Sequence, residues 1–147
     1  MDIRAIFEDW VRALEHEPDF WGARVFAPGG GYIWRNAAAR QYYEQYGFFA
    51  APTMAWASVK KYLTRTEQIH LHQAYTAAFY LDKPIIYDVT GQAPGHPPSV
   101  TRTIFTAVAG NLQNGLIITH LRPEYVPPPA HRPTRAPAGS RRQLVSA

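Results

Sequence analysis

The run Gly29-Gly30-Gly31-Tyr32-Ile33-Trp34-Arg35-Asn36-Ala37-Ala38-Ala39-Arg40-Gln41-Tyr42-Tyr43-Glu44-Gln45-Tyr46 holds three structural instructions in a row. Gly29–Gly31 follow Pro28 and take positive φ at little steric cost, so they predict a tight reversal. Tyr32–Arg35 is short, aromatic and β-branched, which predicts a strand. Asn36 stands where its side-chain oxygen can accept an orphan amide of the helix that residues 37–46 predict, and Gly47 supplies a stop. Upstream, Ala23–Ala27 predicts the other arm of a hairpin.

Working outward, residues 2–16 predict an amphipathic helix. Asp2 can cap it, Ile3, Ile6, Phe7, Trp10 and Leu14 share one face, and Pro18 ends it. That stripe has two uses, against the chain's own sheet or against a second chain. After the 37–46 helix the spacing predicts a short helix over about 54–63. Thr64-Arg65-Thr66-Glu67 has capping-box spacing and opens a helix to about Leu81, with Leu71, Ala74, Tyr75, Ala78 and Phe79 as its apolar stripe. Three strands follow: Ile85–Thr90, Ser99–Ala109 and Leu116–Leu121. In the middle one, Val100, Arg102, Ile104, Thr106 and Val108 alternate with Thr101, Thr103, Phe105, Ala107 and Ala109. Strands joined by loops favour antiparallel neighbours, and the clustered helices must cover a face. The expected fold is α+β: a five-stranded antiparallel sheet covered on one face by helices. It has an N-terminal amphipathic helix (1–18), a domain over 19–125 and an extended or disordered tail (126–147).

The totals agree with one packed domain. The chain has 147 residues, 46% hydrophobic, with four Trp, nine Tyr and seven Phe. It lacks cysteine, which excludes disulfides, a thiolate nucleophile and cysteine metal sites, and fits a cytoplasmic location. No apolar run reaches the ~20 residues of a membrane span. The net charge of +4 belongs to the tail, because Arg132, Arg135, Arg141 and Arg142 lie beyond the last acidic residue, Glu124. Up to residue 125 the charges balance, so no basic face for nucleic acid is expected. The four tail arginines are the candidates for docking on an acidic surface.

The glycine turn, the second strand ending in Asn36 and the short helix resemble the opening of a PAS domain, and the order of elements from about 20 to 125 is similar throughout. The resemblance implies a pocket between the helices and the inner face of the sheet. Its candidate lining is Trp34, Tyr43, Tyr46, Phe49, Leu71, Tyr75, Phe79, Tyr87, Thr103, Phe105, Ile117 and Thr119, against the simpler reading that these side chains fill the core. It also implies that the N-terminal stripe serves dimerisation or partner docking. In haem-binding PAS proteins a histidine on the long helix holds the iron, which makes His70 and His72 the haem-ligand candidates. No cofactor is expected. Photosensory relatives bond their chromophore to cysteine, so flavin could bind only noncovalently. The remaining histidines lack metal-ligand spacing. Asp88 and Glu44 are the only acidic groups near the pocket, no catalytic residue is assigned, and a ketosteroid-isomerase-like enzyme is the rival reading. The expected function is a non-enzymatic sensory or protein-interaction module, with a structural accessory subunit or a ligand sensor as alternatives.

Overall fold

The computed structural model describes residues 2–44, 51–91, 99–125 and 140–146. Among these residues seven strands form one antiparallel sheet: β1 (Phe20–Phe26), β2 (Tyr32–Arg35), β3 (Thr53–Ala55), β4 (Ile85–Gly91), β5 (Ser99–Gly110), β6 (Gly115–Tyr125) and β7 (Ser140–Ser146). Their order is β3-β2-β1-β6-β5-β4-β7, so the first strand lies beside the sixth at the centre. The helices are α1 (Ile3–Leu14), α2 (Ala37–Glu44), α3 (Trp56–Val59) and α4 (Arg65–Leu81). The α+β class and the antiparallel sheet are as expected.

Local signals explain most of this. Gly31 has φ +73°, and a Cβ there would collide with the Val25 carbonyl, so only glycine lets β2 fold back onto β1. Asp2 caps α1 by accepting from the Ala5 amide at 3.2 Å. Thr64 and Glu67 close the capping box on α4, with bonds of 3.1 and 2.7 Å. At its far end α4 stops on Asp82 in the left-handed conformation (φ 49°).

Two strands lie outside the expected five. Residues 54–63 were expected to be one helix. Instead Thr53–Ala55 pairs with β2 (Tyr32↔Ala55, Trp34↔Thr53), and helix begins only at Trp56. The exposed edge of β2 takes a partner, and that tertiary gain outweighs local helix preference. The tail expected to be extended or disordered contributes β7, which pairs along β4 from Ile85↔Ser146 to Gly91↔Ser140.

The sheet carries helices on both faces, not one. Ile3, Phe7 and Leu14 of α1 are buried against Ala23, Val25, Trp34, Leu116 and Ile118. Ala74, Tyr75 and Ala78 of α4 are buried against Phe26, Ile85, Tyr87, Phe105 and Ile117 on the other. Alternation along β1 and β6 puts these two sets on opposite sides. A bulge between Ala107 and Ala109 shifts the register of β5, so Val108 and Ala109 both join the α1 cluster. The strict alternation expected through Ala109 therefore ends at Ala107.

Candidate functional site

The α4 side of the sheet gathers most of the residues singled out from the sequence. Tyr75, Tyr87, Phe105 and Ile117 are buried in one cluster, with Leu71 and Phe79 packed against it. Thr103 and Thr119 are buried on the same face, and the Thr103 hydroxyl donates to the Tyr87 carbonyl. Tyr43 is half-buried on α2. Trp34 is misplaced in that set. It is buried on the α1 side, edge-on to Phe7 at 6.2 Å, because period-two alternation puts Tyr32 and Trp34 on one face and Ile33 and Arg35 on the other. Tyr46 and Phe49 lie outside the described residues.

Two arginines occupy this face instead. Arg24 is 4% exposed, with its guanidinium carbon 4.2 Å from the centre of the Phe26 ring and 4.3 Å from that of Trp56. Nη1 donates to the Val25 carbonyl, and Nε–H is buried without a hydrogen-bond partner. Arg35 lies across β1 where Gly22 makes room, since a Cβ on Gly22 would stand 2.5 Å from Arg35 Nη1. Burial pushes both guanidinium groups below their ordinary value; Tyr75 offsets this at Arg24, and Tyr43 and Tyr75 offset it at Arg35. Tyr75 sits within reach of both, and its hydroxyl is pushed up to about 12 by burial although the two arginines pull it down. The site is thus cationic and walled by aromatic rings. Its reading was available in the alternation of Ala23-Arg24-Val25 and Trp34-Arg35. An arginine in a short strand is ordinarily taken as the solvent side.

The buried Glu67 of α4 accepts from the Thr64 amide, and the acidic groups expected near the pocket stand elsewhere. Asp88 accepts two bonds of 2.9 Å from Arg102 across β4 and β5, and Glu44 is exposed. Glu15 binds Arg40 at 2.9 Å, tying α1 to α2. The two haem-ligand candidates are not among the buried residues of this face. His72 is exposed, and His70 is half-buried on the flank of α4. Among the described residues no group of three or more His, Asp or Glu could hold a metal ion.

The N-terminal stripe, expected to serve an interface, is taken up within the chain. Ile3, Phe7 and Leu14 are buried on the chain's own sheet, and Ile6 and Trp10 are half-buried beside them. Of the tail arginines, Arg141 and Arg142 fall in β7 opposite Thr90 and Val89, and Arg132 and Arg135 lie outside the described residues. No helix among the described residues is long and apolar enough to cross a membrane. Comparison with protein-family models, with curated proteins and with solved structures finds no match.

Proposed function

We propose that this chain is a PAS-like sensory module that receives a small ligand on the α4 side of its sheet and acts by docking on another protein rather than by catalysis. The carrying observation is Arg24, a cation buried among aromatic rings on the face closed by the helices between β2 and β4. Inside the edge strands β3 and β7, the antiparallel order β2-β1-β6-β5-β4, with α2, α3 and α4 between β2 and β4 in the chain, supports the PAS-like part of the reading. The non-catalytic part rests on chemistry. A general acid–base site wants a carboxylate or histidine free in the cleft, whereas the groups around Arg24 are aromatic and the buried Glu67 carboxylate of α4 is engaged by the Thr64 amide.

The test is purification of the full chain from its native source, with mass spectrometry of the small molecules it releases on denaturation. Captured partners are then compared with and without the released compound added back. A sensory module carries a compound that alters partner binding. A chain that carries none, and whose partner binding is indifferent to added compound, is a structural subunit.

A further inference from the structure

Resting on that sensory reading, we propose that Arg24 anchors a site for a small aromatic carboxylate, reached by displacement of the Trp56 indole. A buried guanidinium that has lost its water needs compensation, and stacking on rings returns less than the hydration it replaces. Arg24 meets the Val25 carbonyl and the Phe26, Trp56 and Tyr75 rings, with no carboxylate against it among the described residues. With Nη1 occupied by Val25, the remaining edge is Nε with its neighbouring Nη2, and Nε–H is unbonded. Two parallel N–H groups in a plane match the two oxygens of a carboxylate.

The indole is the movable wall. Trp56 is half-buried and opens α3, which has no side-chain N-cap and no buried residue, and the 3₁₀ turn Lys60–Tyr62 that follows has none either. The segment is held at the sheet by the Trp56 amide on the Gly31 carbonyl at 3.0 Å and by the indole over Arg24 and beside Tyr75. Few buried contacts mean a low cost of local opening. A ring that replaces the indole keeps contact with Phe26 and Tyr75, and its carboxylate adds the counter-ion that the indole lacks. The ligand class follows: one planar ring with one carboxylate.

The probe is benzoate, with benzyl alcohol as its uncharged counterpart, titrated into the full chain while thermal denaturation and tryptophan emission are followed. Benzoate should raise the melting temperature saturably and shift emission to the red as Trp56 meets water, and benzyl alcohol should do neither. Arg24→Lys keeps the charge without the planar fork and should weaken benzoate by about tenfold, as should Arg24→Met if it folds. Trp56→Phe should keep the stabilisation and lose the emission shift. An equal response to benzyl alcohol, full benzoate affinity in Arg24→Lys, or no response to millimolar benzoate overturns the proposal. A saturable response to inorganic phosphate in place of benzoate overturns it too, by naming a different anion. If benzoate fails while a natively bound compound still alters partner binding, the sensory reading stands without this ligand class; if both fail, both fall.

Discussion

Asn36 uses every hydrogen-bonding group it has. Its Oδ1 accepts from the Ala39 amide at 3.0 Å, which caps α2, and from the Trp21 amide at 3.1 Å. Its Nδ2 donates to the carbonyls of Leu14 and Asp19, both at 2.9 Å, and the residue is fully buried. The end of α1, the start of β1 and the start of α2 therefore meet on one side chain. Asn36→Ala removes a cap and strands buried amides and carbonyls, so it should cost about 4 kcal/mol in urea denaturation. A loss below about 1 kcal/mol would mean that water replaces the side chain. Tyr75 makes a prediction of a different kind. A tyrosine in the unfolded chain ionises near about 10, and the folded chain holds this proton to about 12. Between those values the folded state binds the extra proton, so stability is full below the lower one and declines as pH rises through the higher one. Tyr75→Phe should flatten that alkaline decline in the urea midpoint, and parallel curves for the two proteins would contradict the assignment.

Among the elements, α1 matters because it closes a face that a one-sided sheet would leave open. Phe7 stands edge-on to Tyr32 at 5.5 Å as well as to Trp34, and is 9% exposed. Phe7→Ala should cost about 3 kcal/mol through the cavity it leaves. The measurement is the denaturation midpoint at several protein concentrations. A helix packed on its own sheet gives a shift independent of concentration, whereas a helix engaged with a second chain does not. The turn between β1 and β2, the start of α2 and both ends of α4 were legible because caps and glycines act locally, within a few residues. Strand β1 starts at Phe20 rather than Ala23, and the expected Gly47 stop of α2 lies outside the described residues. The short strand β3 was not legible, since Thr53-Met54-Ala55 carries no strand signal strong enough to override the helix formers after it. It becomes a strand through the open edge of Tyr32–Trp34.

For the whole molecule, the sheet's two edges are made late in design terms: β3 from a connection and β7 from the tail. A chain ending at residue 126 loses β7 and leaves the outer edge of β4 unpaired. Hydrogen exchange should then quicken over residues 85–91 and stay unchanged over 115–121, which lie between β1 and β5. Unchanged protection over 85–91 would mean that β7 does not pair with β4 in solution. The same truncation removes the four arginines that account for the excess charge, leaving a neutral chain.

Reading residues in order was enough for the α+β class, the antiparallel partners, the Asn36 cap and the capping box, because each depends on neighbours within one turn or one hairpin. It was also enough to gather Tyr75, Tyr87, Phe105 and Ile117, whose apolar surfaces leave no choice but burial. What required the packed chain was the side to which each strand turns its polar residues. A two-residue period is symmetric, so Trp34 and Arg35 exchange faces with no change in pattern. The choice was made by α1, whose stripe claimed Tyr32 and Trp34 and so turned Arg24 and Arg35 to the other face, Arg24 among the rings.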